Sequence, residues 1–182
     1  MNIVAISGSL RAASTNKFLL RAIAELAPNE VTVTLYDGLD DLPHFSPERD
    51  KENASKPVNT LRTLLREADA VLFCTPEYIH GMPGVLKNML DWIASSGEFV
   101  DKPVGVISAS PSDMGGSRAH AALTYTLGVL TAKLPQDASL IIPFVRKKVD
   151  ADGTIIDPVL IQELRVVLTA LVNAVEHQQP AS

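Results

Sequence analysis

The chain has 182 residues, 46% of them hydrophobic and 20% charged, with a formal net charge of −5. That length can bury a full α/β core, and the acidic balance excludes a protein that grips nucleic acid through clustered Lys and Arg.

The opening run, Ile3-Val4-Ala5-Ile6, is continuously apolar, as in a strand covered on both faces. It breaks at Ser7-Gly8 with no basic lead, too early for a secretion signal, so the chain reads as cytoplasmic. A helix is expected from about Ser14 to just before Pro28, with Phe18, Leu19, Ala22, Ile23 and Leu26 at helical spacing. Val31 to Tyr36 reads as a second strand, with Asp37 a turn aspartate before Gly38. Residues 37–57, polar and without period, read as the longest loop, and Val58 to Glu67 as a short helix. Ala70 to Cys74 is the third strand, again continuously apolar. Cys74 is the lone cysteine and reads as a core residue; with the four histidines it shows no metal-ligand spacing. Pro83 opens a helix carrying Leu86, Met89, Leu90 and Ile93 on one face. Val104 to Ile107 is the fourth strand, and Ser117, as N-cap, starts a helix to about Leu130. Ala138 to Ile142 is the fifth strand, the triplet Arg146-Lys147-Lys148 a solvated loop, and Pro158 to Val175 the closing helix. No apolar run is taken to approach the roughly 18 residues of a membrane span.

Five strands alternating with five helices predict an α/β, doubly wound parallel sheet with helices on both faces, residues 1–182 forming one domain. Ligands of such sheets sit outside the carboxyl ends of the strands, at the switch point. The segments after the first, third and fourth strands are therefore the candidates. Ser7 to Asn16 runs into a helix and offers hydroxyls, free amides and the cation of Arg11, a combination suited to phosphate. It has neither the Gly-Lys-Ser/Thr of a P-loop nor the three glycines of a dinucleotide fingerprint, which favours a terminal monophosphate over a pyrophosphate. Thr75 to Gly84 packs Pro76, Gly81, Pro83 and Gly84 closely enough to fix a backbone path along a planar heterocycle, with Tyr78 as an aromatic wall. Ser108 to Arg118 places Gly115-Gly116 before a helix, where backbone can approach a ligand.

These three segments resemble the NADPH-dependent FMN reductases of the flavodoxin-like superfamily, which include quinone, chromate and azo-dye reductases. Gly8-Ser9-Leu10-Arg11 with Ser14 and Asn16 is similar to the family's phosphate loop. Pro76-Glu77-Tyr78, then Pro83-Gly84-x-Leu86-Lys87-Asn88 and Asp91-Trp92, is similar to its second signature, and Gly115-Gly116-x-Arg118-Ala119 to its third. The resemblance implies strand order 2-1-3-4-5, FMN as cofactor, NADPH or NADH as donor, and a homodimer or homotetramer with 37–57 a candidate interface. It implies ping-pong transfer to a small acceptor such as a quinone, azo compound, chromate or flavin. A flavodoxin-type electron carrier and a flavin reductase feeding a monooxygenase remain alternatives. Ser9, Arg11, Ser14 and Asn16 are assigned to the phosphate with the Leu10 and Thr15 amides. Pro76, Glu77, Tyr78 and Ile79 are assigned to the ring edge, mainly through backbone, and Ser110, Gly115 and Gly116 to the opposite side. No side chain is assigned a catalytic role, since hydride transfer to a flavin needs no protein nucleophile. The family usually carries Asn and Ser where this chain has Ile79 and Gly81, and His80 reads as a solvent-facing loop residue. Lys87 and Asp91 read as an i,i+4 ion pair, Asn88 and Trp92 as packing or subunit contacts.

Overall fold

A computed structural model describes residues 1–50 and 54–178. The three continuously apolar runs become β1 (Asn2–Ser7), β3 (Ala70–Thr75) and β4 (Val104–Ala109), and they occupy the middle of the sheet. The runs carrying Thr and Ser become its edges, β2 (Thr32–Tyr36) and β5 (Ser139–Ile142). All pairings are parallel and the order is β2-β1-β3-β4-β5, the flavodoxin-like arrangement. Ser7 lies beside Cys74 and Thr75 beside Ser108, so the carboxyl ends of the central strands are level.

Alternation along each strand divides the core in two. Ile3, Ala5, Leu72, Cys74 and Ile107 face α1 (Thr15–Leu26) and α5 (Pro158–Glu176). Val4, Ile6, Val71, Phe73 and Val106 face α2 (Lys56–Glu67), α3 (Gly84–Ile93) and α4 (Ser117–Val129). Burying each Val, Leu, Ile or Phe among them contributes roughly 1.5–3 kcal/mol, which is why the strands need no polar face.

Several boundaries move for physical reasons. α2 begins at Lys56, because Pro57 sits in the first turn, where its missing N–H removes no helical bond. Ser117 is the first helical residue of α4 rather than its cap; left-handed Gly116 takes the cap position. The segment 37–57 is not structureless throughout: Gly38–Asp41 forms a 3-10 turn that buries Leu39, and residues 51–53 lie outside the described residues. Asn88 and Trp92 hold this segment from within the chain. The Asn88 carbonyl accepts from Phe45 N–H at 2.7 Å, and the Trp92 indole N–H donates to Pro43 O at 2.8 Å. The Phe45 and Trp92 rings meet edge to face, centroids 5.2 Å apart. Asp37 pairs with Lys17 at 2.7 Å, and Lys87 with Asp91 at 2.5 Å as the spacing predicts.

Val145–Lys147 of the basic triplet's neighbourhood is a 3-10 turn, and Lys148 is tied to Asp157 at 3.1 Å rather than left in solvent. α5 corrects one compositional expectation: at 19 residues it is long and apolar enough to cross a membrane. It has that length and composition because it is a core helix; Leu160, Leu164, Val167 and Leu171 are buried against the sheet.

Candidate functional site

A hydroxyl residue stands at or one short of the end of each of the three apolar strands and shapes the loop that follows. Ser7 Oγ accepts from Ser9 N–H at 3.2 Å, and Thr75 Oγ1 donates to Pro76 O at 2.9 Å. Ser108 Oγ donates to Gly115 O at 3.0 Å. All three are buried. Sequence reasoning passed over them, although the signal was present as a hydroxyl closing each apolar run.

The first loop continues the β1–β3 ladder by one bond, Gly8 N–H to Cys74 O at 2.9 Å. A Cβ on Gly8 would lie 3.0 Å from Thr75 Oγ1, so the two loops lie against each other here. Ser9 is buried, and its hydroxyl accepts from Arg11 N–H at 3.4 Å, a turn that leaves Leu10, Arg11, Ala12 and Ala13 exposed. Ser14 occupies the N-cap of α1 but its side chain caps nothing. Among the described residues, no acceptor meets the N–H groups of Ala12, Ala13, Thr15 or Asn16, and no carboxylate pairs with Arg11. Unused donors, a partial positive charge and a guanidinium without a carboxylate partner together favour an anion at this helix start. Asn16 points partly inward: its Oδ1 accepts from the Cys74 thiol at 3.2 Å, which leaves its amide N–H groups for other partners. Burial pushes the Cys74 thiol up, so it stays protonated and acts as this donor.

The second loop takes its path from a tight hairpin turn rather than from its glycines. Tyr78 and Gly81 exchange backbone bonds at 3.0 and 3.1 Å, and the residues between them, Ile79 and His80, both have positive φ, 49° and 60°. Such a turn normally carries Asn-Gly. A left-handed β-branched residue is disfavoured by about 1–2 kcal/mol, and Ile79 is also 98% exposed. Gly81 has ordinary φ and a Cβ there would meet nothing closer than 3.9 Å, so glycine is not required. Pro76 is buried, Tyr78 is half-exposed, and the His80 ring faces solvent.

Glu77 has a structural role that its expected one did not include. Its carboxylate, not only its backbone, shapes the site: Oε2 accepts from the N–H groups of Arg118 at 2.9 Å and Ala119 at 3.1 Å. It thus caps α4 from a loop some forty residues earlier in the chain. Oε1 lies 3.4 Å from His80 Nδ1. Burial pushes the Glu77 carboxyl up, but the Ala119 amide, His80 and the Arg118 amide outweigh it and hold the group below the ordinary carboxylate value.

In the third loop Gly115 and Gly116 are both left-handed, at 59° and 83°. A Cβ on Gly115 would fall 2.6 Å from Ile141 Cγ2 and 2.8 Å from Pro143 N, so only glycine fits against the end of β5. Gly116 faces the other way, its Cβ direction 3.6 Å from Glu77 Cβ. Ser110 is stitched to β5 by its N–H to Ile142 O at 3.2 Å, and its hydroxyl meets that of Ser112 at 3.1 Å. Between the second and third loops lies an open cleft of about 460 Å³, lined by Glu77, Ile79, His80, Ser110, Met114 and Arg118. Ser9 to Asn16 do not line it; they flank it at the end of β1. Gly115 turns away toward β5.

The sequence profile of NADPH-dependent FMN reductases matches residues 1–147. The chain belongs to this family. It is an NAD(P)H-dependent oxidoreductase, and FMN is the family's cofactor. A subunit of the NADH:(hydroxy)cinnamate reductase of Vibrio ruber is 35% identical over 167 residues, which cover 90% of this chain and 82% of that protein. The quinone reductase of Escherichia coli is 30% identical over 174 residues, 93% of each chain. Among solved structures, the flavoenzyme NAD(P)H:(acceptor) oxidoreductase FerB of Paracoccus denitrificans superposes with a TM-score of 0.86 at 28% identity, covering 97% of both chains. Within the family frame, the usual Asn after Pro-Glu-Tyr falls on the left-handed position of the hairpin turn, a conformation that Asn adopts more readily than the β-branched Ile79 that holds it here.

Proposed function

We propose that the chain binds FMN along the carboxyl edge of β1, β3 and β4 and relays electrons from NADPH or NADH to a small acceptor. The observation that carries this reading is the N-terminus of α1, left uncapped beside the unpaired Arg11 and next to the cleft of the second and third loops. Leu10, Thr15 and Asn16 offer amides to the phosphate, Ser9 and Ser14 line the turn that presents them, and Arg11 supplies the countercharge. Pro76, Glu77, Tyr78 and Ile79 border the ring edge, and Ser110 and Gly116 close the opposite side, with Gly115 packing that loop against β5. The buried position of Ser9, Ser14 and Asn16 suits a phosphate held inside the loop rather than at its surface.

Bound FMN supplies two-electron hydride chemistry between a nicotinamide and an acceptor. The chain's own contribution is placement: Arg11 and the α1 amides fix one end of the cofactor, the hairpin turn fixes the other, and the open cleft admits donor and acceptor in turn. That sharing of one face makes the kinetics ping-pong. For a quinone the balance is NAD(P)H plus a solvent proton plus quinone giving NAD(P)+ plus hydroquinone, so no side chain need act as acid or base. The name of the E. coli relative makes a quinone the first acceptor to test. Stopped-flow reduction of FMN-loaded protein by NADPH and by NADH, then reoxidation by a quinone, an azo dye, chromate and free flavin, tests the reading. Bleaching of the flavin by a nicotinamide and its return with a quinone are expected. A flavin that no nicotinamide bleaches would contradict it.

A further inference from the structure

Neither packing nor backbone preference accounts for an isoleucine at the tip of the second loop. Ile79 is β-branched, left-handed and 98% exposed, where Asn or Gly would make the same turn with less strain and no exposed apolar surface. Backbone strain held at a cleft points to a use for the side chain that imposes it. The surroundings indicate that use. Met114, on the facing wall of the same cleft, is also exposed at 56%. Phe144, whose N–H bonds Ser112 O at 3.0 Å, stands half-exposed behind that wall. The cleft's carboxylate, Glu77, is already engaged with the start of α4, which leaves Arg118, His80 and the hydroxyls of Ser110 and Ser112 as its polar groups, with Ile79 and Met114 its apolar side chains.

Resting on the functional reading above, we infer that Ile79 is a specificity-determining residue: with Met114 it forms an apolar clamp that selects planar, uncharged acceptors over ionic ones. Both side chains line the cleft and are exposed rather than lying in the core, so they are available to a ring that enters it. A second copy of the chain could also cover so exposed a residue, and the experiment separates that case.

Ile79→Asn, Ile79→Gly and Ile79→Leu are compared with the wild type using 2-methyl-1,4-naphthoquinone and ferricyanide as acceptors, with FMN affinity and sedimentation measured alongside. Asn and Gly should raise the melting temperature by about 2–4 °C as strain is relieved. They should lower kcat/KM for the naphthoquinone roughly tenfold relative to that for ferricyanide, the effect of a lost apolar contact in a pocket, with both rates measured at saturating FMN. Leu, apolar but not β-branched, should keep the quinone preference. Equal change with both acceptors, no change with the quinone, or a change in sedimentation would each overturn the assignment. Failure of the wild type to bind FMN at all would instead overturn the functional reading, and is read before any variant.

Discussion

Two helices begin at the same sheet edge and solve the same problem in opposite ways. α1 and α4 each start with backbone N–H groups that no helical carbonyl can reach. At α4 the protein fills that need itself: Glu77 reaches across from the second loop and its carboxylate takes the N–H groups of Arg118 and Ala119. At α1 the N-cap side chain of Ser14 bonds nothing, and Arg11 adds a positive charge instead of a negative one. A carboxylate at α4 repels a second anion, whereas the arrangement at α1 attracts one. The contrast is the ground for proposing the α1 start, and not the α4 start, as the place for a ligand.

The largest expected effect breaks the structural side of this comparison. Gly115→Val adds a side chain at a left-handed residue already crowded by Ile141 and Pro143. It should destabilise the fold by about 2–5 kcal/mol in urea titration. Next, Arg11→Ala should weaken FMN binding by roughly 1.5–3 kcal/mol, the range for a hydrogen bond to a charged group. Because Arg11 is exposed, the melting temperature of the apoprotein should not move. Glu77→Ala should lower stability by about 1–2 kcal/mol, as expected for loss of a helix cap. The pH dependence has a definite sign. The Glu77 carboxyl is held low in the folded chain, so its contribution is fully present above the ordinary carboxylate value and disappears as pH falls through the folded one. The urea stability gap between wild type and Glu77→Gln should therefore be constant near neutrality and close only below about pH 4–5. The smallest effect belongs to Lys87→Ala. Its exposed pair with Asp91 contributes about 0.3–0.5 kcal/mol, so stability and FMN binding should both be almost unchanged.

The fold was largely legible because the signals that set it are local. Continuous apolar runs marked β1, β3 and β4 as strands covered on both faces, and helical spacing marked the faces of α1 and α3. The strand order then brought the three candidate loops to one edge without further assumption. What escaped is long-range or conformational. The partners of the Glu77 carboxylate lie some forty residues away, so its capping of α4 leaves no local pattern, and Ser117 looked like the natural cap. Asn88 and Trp92 hold residues 43–45, again across more than forty positions. Ile79 could be read as a lost polar group; that it stands at a left-handed residue depends on the pairing of Tyr78 with Gly81. Ser7, Thr75 and Ser108 stood at or one short of the ends of their strands in plain view, but a hydroxyl there has meaning only once the loop it holds is known.

The central claim is that the start of α1 is reserved for the phosphate of FMN. Fluorescence titration of the wild type and of Arg11→Ala with FMN and with riboflavin, which lacks the phosphate, tests it most directly. The account predicts that the wild type binds FMN at one site and riboflavin far more weakly, and that Arg11→Ala narrows this difference by weakening FMN alone. Equal affinity of the wild type for the two flavins, or a difference that Arg11→Ala leaves intact, would contradict it.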